Sequence, residues 1–409
     1  MNREIFRKLQ SPFGQEVLQA ALDLEPLEND FLHHFNTLSR RYPTELARAA
    51  LEIAILRREG AIKFPFAGSL YFTRSALEQA SNYEVSTYRA ERYNGFDRLL
   101  DLGCSIGGDT LALARVVHTF AVDLDPLRLA MAQANLRAMD LLDRVVFIQA
   151  DLNSPIPYFL SHGSALFFDP ARRTQERRIF SVLEYRPPLT VIQNWLPQCH
   201  ALGVKISPGV NLDELHAYDA EVEFVSLRGN LKEAVLWFGP LKTSRRRATV
   251  LPGRHTLTAP PDFIIPNKVP FSEKARQHEF PLSDPGAFLY EPDPSVLRAG
   301  LVQVLGEQLG AAQLDPDIAY LTSDRLIDTP FARAWAVESW LPFGIKRLRA
   351  VLRQRGVGQV MVKKRGSPIQ PEALIHALHL KAIAKPGQIE RVLFLTHLRG
   401  QPIVIICFP

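Results

Sequence analysis

The stretch RLLDLGCSIGGDTLALA, residues 98–114, decides how this chain is read. An apolar run, Arg98–Leu102, carries Asp101 near its end. A turn of small residues follows, and the pattern predicts a helix over 107–115. Gly103 and Gly107 carry no side chain, so a ligand can come close to the backbone at such a turn. The same alternation continues outward. Residues 116–122, 145–148 and 165–168 are short apolar runs, and 126–139 has helical periodicity. Residues 201–206, 222–227 and 234–238 bring the expected strands to seven, the last two joined by the short connection 228–233 as an antiparallel hairpin. Alternating strands and helices predict an α/β fold with a largely parallel sheet covered on both faces.

Further acids stand at the expected strand ends. Asp123 lies 22 residues after Asp101, in TFAVDLDP (119–126). A carboxylate there can accept hydrogen bonds from both ribose hydroxyls of a nucleotide. Asp125 competes for that role, but suits the cap of a helix starting at Pro126. Asp151 closes VVFIQAD (145–151), where an adenine edge would lie. Each acid alone reads as a turn or cap residue. Three at the C-terminal ends of successive strands point to a bound ligand. GCSIGG (103–108) lacks the G-x-G-x-x-G of a nicotinamide dinucleotide site. Ser105 stands where the D-x-G-x-G-x-G form would have a glycine.

The fourth run, SALFFDPARRT (164–174), ends on Asp169-Pro170. A carboxylate and a carbonyl that accept N–H bonds can localise the lone pair of a conjugated amine and aim it at an electrophile. Proline fixes its own φ and stiffens the turn. The plainer reading is a turn that ends a strand. Arg172 or Arg173 suits stacking on a base, holding a phosphate or carboxylate, or anchoring the loop. Lys63, Thr73 and Glu78, just before the core, are candidate lid residues. Phe64, Phe66, Tyr71 and Phe72 are the local candidate stackers, though core is the plainer reading for most of them. Lys205, at the end of an expected strand, faces the same side of the sheet as Asp169; it suits a substrate contact, but a surface lysine is the plainer reading.

These segments resemble the class I methyltransferase domain of the trimethylguanosine-synthase-like group, which methylates the guanine N2 amine of RNA caps. The whole chain resembles bacterial proteins that couple such a domain to a C-terminal THUMP-like domain. YFTRSALEQAS (71–81), VKISPGV (204–210), FLYEPDP (288–294), IAYLTSDR (318–325) and LPFGIKRLRAVLRQRGVGQVMVKKRG (341–366) carry that wider resemblance. It implies a Rossmann-like seven-stranded core, an N-terminal helical region, a small C-terminal α+β domain and S-adenosylmethionine as cofactor. It also implies cofactor contacts at Asp101, Gly103, Cys104, Gly107, Asp123 and Asp151, and amine contacts at Asp169 and Pro170. The tetrad here is Asp169-Pro170-Ala171-Arg172, without the aromatic residue that usually follows D-P-P.

Residues 1–60 are expected to be helical, 61–245 to form the methyltransferase domain, 246–330 a proline-rich linker or extension, and 331–409 a basic THUMP-like domain. Nine of the 30 prolines fall within 251–294. Residues 331–409 hold 13 Lys and Arg against three Glu and no Asp, whereas the whole chain is only +5. A basic module on an acidic body suits a polyanion or is simply a solvated surface. THUMP-type domains bind RNA, so the resemblance implies tRNA or rRNA as partner. Lys346, Arg347, Lys363, Lys364 and Arg365, together with Arg172, are the candidate contacts. Hydrophobic content of 46% fits a globular protein. Three separated cysteines, Cys104, Cys199 and Cys407, make no disulfide framework and suit the cytoplasm. No apolar run is long enough to span a bilayer. His33, His34, His376 and His379 lack acid or thiol neighbours at metal spacing, so no metal is expected. The competing functions are an RNA base methyltransferase, a small-molecule or protein methyltransferase, and a non-catalytic RNA-binding protein.

Overall fold

The computed structural model describes residues 1–154, 164–171, 181–261, 280–380 and 389–409. The chain forms two compact units: residues 1–223 with 232–243, and residues 224–231 with 244–409. Arg172 and Arg173 lie outside the described residues.

The first unit opens with helices α1 (Arg3–Leu9), α2 (Pro12–Leu22), α3 (Phe31–Ser39) and α4 (Thr44–Gly60). Ser11 caps α2 by accepting from the Gly14 N–H, and Pro12 occupies the first turn, where it forfeits no bond. Two short helices follow, α5 (Arg74–Gln79) and α6 (Tyr83–Ala90). The α/β part runs β1 (Arg98–Leu102), α7 (Thr110–Leu113), β2 (His118–Asp123), α8 (Pro126–Ala138), β3 (Val145–Gln149), β4 (Ala165–Phe168), α9 (Ile192–Trp195) and β5 (Ala201–Ile206), and continues into β6 (Glu221–Leu227) and β7 (Asn230–Phe238), of which residues 224–231 are counted with the second unit. These seven strands lie in the order β3-β2-β1-β4-β5-β7-β6. The pairs from β3 to β5 are parallel, and β7 runs antiparallel to β5. This is the Rossmann-like arrangement of methyltransferases. Its ligand side is the carboxyl edge of the parallel strands. Asp125 caps α8 through the Leu127 and Arg128 N–H groups, with Pro126 in the first turn. One core cluster takes in Phe6, Leu18 and Leu51 from the first helices together with Leu111, Met131 and Leu136 from α7 and α8. Residues 1–60 therefore do not form a separate body.

The second unit contains a β8 (Arg246–Leu251) and β9 (His255–Thr258) hairpin. It continues with β10 (Phe288–Pro292), α10 (Pro294–Ala299), α11 (Val302–Leu309), β11 (Ala312–Asp315), β12 (Ile318–Ser323), β13 (Ala332–Pro342), α12 (Ile345–Gln354), β14 (Val357–Lys364), α13 (Pro371–Ala377), β15 (Ile389–Leu398) and β16 (Gln401–Cys407). Seven of these strands form a sheet in the order β11-β12-β10-β13-β16-β15-β14. Strand alternation assigns its two faces. Phe394, Ile403 and Ile405 pack with Leu289, Tyr320 and Trp335. Leu393, Leu395, Val404 and Ile406 pack against Leu348 and Leu352 of α12 and Leu374 of α13. Of the two readings of 246–330, a linker or an extension, the described residues form an extension: β10–β12 are strands of the same sheet as β13–β16. Gly300, at φ 74°, ends α10 in a left-handed turn before α11.

Candidate active site

A cavity of about 440 Å³ opens at the carboxyl ends of β1, β2, β3 and β4. Asp101, Asp123, Asp151 and Asp169 all line it, as do Gly103, Cys104 and Pro170. The local backbone explains how. Gly103 sits at φ 86°, and a Cβ there would come 2.8 Å from the Asp169 carbonyl oxygen. Only glycine lets the β1 turn and the β4 loop come this close. Ser105 follows at φ 52°, turning its N–H to Asp123 Oδ2 at 2.8 Å. The Asp125 N–H donates to Asp123 Oδ1 at 2.9 Å, so both oxygens are oriented by backbone donors.

Asp101 is fully buried. Thr110 donates to its Oδ2 at 2.6 Å, while Oδ1 has no partner among the described residues. Burial pushes this carboxyl up to about 7, against the lowering effect of the Thr110 hydrogen bond. Asp151 differs: it is exposed, and hydrogen bonds from the Asn153 backbone and side chain hold it below the usual carboxylate range. The Cys104 thiol is pushed well up by burial, which suits wall packing rather than nucleophilic chemistry. Gly107 lies between two residues of the cavity wall, Ile106 and Gly108. It is not part of the cavity wall, and a Cβ on it would meet Leu136 and Ala132 of α8.

The β4 loop is braced on three sides. The Asp169 N–H donates to Leu102 O at 3.1 Å, and Ala171 and Arg186 exchange backbone bonds of 3.1 Å each. Lys205 Nζ, on β5, donates to Asp169 Oδ2 at 2.6 Å and lies 3.6 Å from Asp109 Oδ2. Its side chain is 2% exposed, which corrects its reading as a surface lysine. Asp109 in turn takes bonds of 2.5 Å from Arg89 and from Ser86. Burial would raise the Asp109 carboxyl, but Arg89 and Lys205 beside it hold it well below the usual range. Arg89 also pairs with Glu233 and lies over the Phe167 ring at 4.6 Å. Sequence reasoning missed Arg89, Asp109 and Glu233. The one legible signal was a lysine in the otherwise apolar run ALGVKI.

Phe64, Phe72 and Tyr71 are buried in the core, and Phe66 packs edge-on against Tyr83. Thr73 caps α5 through the Ala76 N–H. Lys63 donates to Leu77 O, Glu78 O and Ala80 O, fixing the end of α5, whose Ala76 and Gln79 line the cavity.

The basic candidates of the second unit separate into two groups. Lys346 and Arg347 on α12 are exposed, with no hydrogen bond or ion pair among the described residues. Lys364 is exposed and bonds Gln370 at 3.0 Å. Lys363 instead pairs with Glu291 at 2.5 Å and lies beside the Trp335 ring, and Arg365 donates to Ala319 O over the Tyr320 ring. These last two brace the fold. Among the described residues no group of three or more His, Cys, Asp or Glu could hold a metal ion. No helix there is long and apolar enough to cross a membrane.

A sheet with an acid-lined cavity at this edge defines a class I methyltransferase core. Residues 96–196 match the family described as RNA cap guanine-N2 methyltransferase, and residues 332–409 match the THUMP domain-like family. Residues 2–60 match a domain family of unknown function. Two sequences from strains of Mycobacterium tuberculosis, both described as uncharacterized S-adenosylmethionine-dependent methyltransferases, are 34% identical over 344 residues, 81% of this chain and 88% of theirs. A crystal structure assigned as a methyltransferase of Porphyromonas gingivalis has the same fold, with a TM-score of 0.74 and 21% identity over 96% of this chain and 98% of that one. The chain belongs to this family of S-adenosylmethionine-dependent methyltransferases.

Proposed function

We propose that this enzyme transfers a methyl group to a nitrogen of an RNA base, in tRNA or rRNA. The observation that carries the reading is Asp169-Pro170 in the wall of the same cavity as Asp101 and Asp123. The residues fit S-adenosylmethionine: the buried Asp101 Oδ1 lacks a donor, and the cofactor's amino group is one. Asp123 is the acceptor for the ribose hydroxyls, and Asp151 stands at the adenine end. When bound, the cofactor supplies a methyl group already activated on a sulfonium.

Asp169 accepts an N–H of the target amine and aims its lone pair. With the cofactor bound, the nitrogen so aimed would take its methyl group, and the electron pair of the broken C–S bond would stay on sulfur. The nitrogen becomes cationic, and its surplus proton passes to Asp169 or to water. Pro170 keeps the loop rigid. RNA as the acceptor is supported by the two family matches and by the exposed Lys346, Arg347 and Lys364, which can neutralise phosphates. Three free cysteines accord with a cytoplasmic setting.

The test is transfer of tritium from labelled cofactor to RNA purified from cells lacking the protein. Wild type labels it. Asp169→Ala binds cofactor and labels nothing. Normal labelling by that variant removes Asp169 from the reaction.

A further inference from the structure

The buried ion pair beneath the β4 loop does more than fill space. Lys205 stands between two carboxylates, Asp169 at the cavity wall and Asp109 behind it. Its own side chain is 2% exposed, and burying an ammonium group is costly unless paired. An apolar residue would close this part of the sheet at lower cost, so the cation answers an electrostatic need. Lys205 also reaches the wall of a second cavity of about 240 Å³, which shares Gln79 and Ala80 with the first. The Lys205–Asp169 pair therefore stands where the two cavities adjoin.

Among the described residues, charged groups face Asp169 from several elements. Lys205 comes from β5, Asp109 from the turn before α7, Asp101 from β1 and Arg89 from α6. Glu233 of β7 stands behind Arg89, and Arg186 lines the same cavity. Among the described residues, acids outnumber bases in the inner set of Asp169, Asp109, Glu233, Lys205 and Arg89. Removing Lys205 leaves the acids less compensated still, and Asp169 is the member nearest the reaction.

We infer that Lys205 is a positioning residue for methyl transfer: it holds Asp169 by Oδ2 and balances its charge, so that the carboxylate is turned to accept the N–H of the amine. This rests on the reading of Asp169 given above. A carboxylate that loses a cation at this distance takes up its proton at higher pH.

The experiment compares wild type, Lys205→Met, Lys205→Met/Asp109→Asn and Asp169→Asn as full-length proteins. Without any ligand, infrared difference spectra against Asp169→Asn follow the Asp169 carboxyl through pH 4–9. The expected result in Lys205→Met is titration about one pH unit or more above wild type, with partial return in the double variant, which removes one charge of each sign. Calorimetry with S-adenosylmethionine gives a Kd within about threefold of wild type, whereas kcat for RNA falls about a hundredfold with little change in KM. The acid limb of the pH–rate profile moves up with the carboxyl.

An unmoved Asp169 titration in a folded Lys205→Met protein overturns the inference, whatever the activity. A moved titration with unchanged kcat overturns it equally. If the wild type methylates no RNA, the proposed function fails, and the titration alone then decides whether Lys205 governs Asp169. If the single variant does not fold, the double variant carries the test against wild type. If neither folds, Lys205 is a stability residue and the inference is wrong.

Discussion

The cavity of the first unit and the α12 surface of the second use charge in opposite ways. At the cavity, Lys205, Arg89, Asp109 and Glu233 are buried and held by named partners. On α12, Lys346 and Arg347 are exposed. A buried, paired charge is fixed in place and can orient a neighbour. An exposed one is mobile and screened beyond about 8–10 Å at physiological salt, and serves attraction. The difference teaches where substitutions should act on chemistry and where on capture.

The largest expected effect breaks the cavity side. Asp169→Asn should lower single-turnover transfer by at least about a hundredfold while cofactor affinity, measured by calorimetry, stays near wild type. Asp123→Ala should do the reverse. Losing the ribose acceptor weakens cofactor binding by about tenfold to a hundredfold, with transfer recovering at saturating cofactor.

On the basic side, Lys346→Gln/Arg347→Gln should weaken RNA binding without touching cofactor affinity. In a filter-binding series, the slope of log K against log salt should fall by about one to two. Lys363→Gln sharpens the contrast within the same KKR run. It breaks the pair with Glu291, so it should lower the melting temperature and leave the salt slope unchanged.

The smallest effect is a pH signature of Asp101. Its carboxyl is raised from the ordinary 3.8 to about 7, so the folded state holds this proton more tightly than the unfolded chain. The stability it contributes is complete below pH 3.8 and is lost as pH rises toward 7. Relative to Asp101→Asn, ligand-free wild type should therefore lose melting temperature across that window. Cofactor affinity should instead gain as Asp101 ionises, because the amino group of the cofactor is cationic.

Much of the catalytic unit was legible because its signals are local. Strand–turn–helix alternation gave seven strands in the right places, and Asp101, Asp123, Asp151 and Asp169 were readable as strand-end acids. What escaped depends on contacts distant in sequence. Lys205 meets Asp169 36 residues away, and Arg89 meets Glu233 144 residues away. Local periodicity cannot reveal such pairs.

In the second unit, the prolines of 251–294 disguised short strands that exist through long-range pairing, β10 with β12 and β13. The KKR run divides for a different reason. Successive strand residues face opposite sides, so Lys363 and Arg365 turn one way and Lys364 the other. Gly107 shows why a glycine at positive φ is ambiguous in a sequence: such a residue serves close packing, here against Leu136 and Ala132, as readily as ligand approach.

The most direct measurement is a crystal structure with S-adenosylhomocysteine bound. The predicted result has the ribose hydroxyls on Asp123, the amino group on Asp101 Oδ1, and the sulfur facing the Asp169-Pro170 loop. A ligand seated in another cavity, or one whose ribose lies away from Asp123, contradicts the assignment.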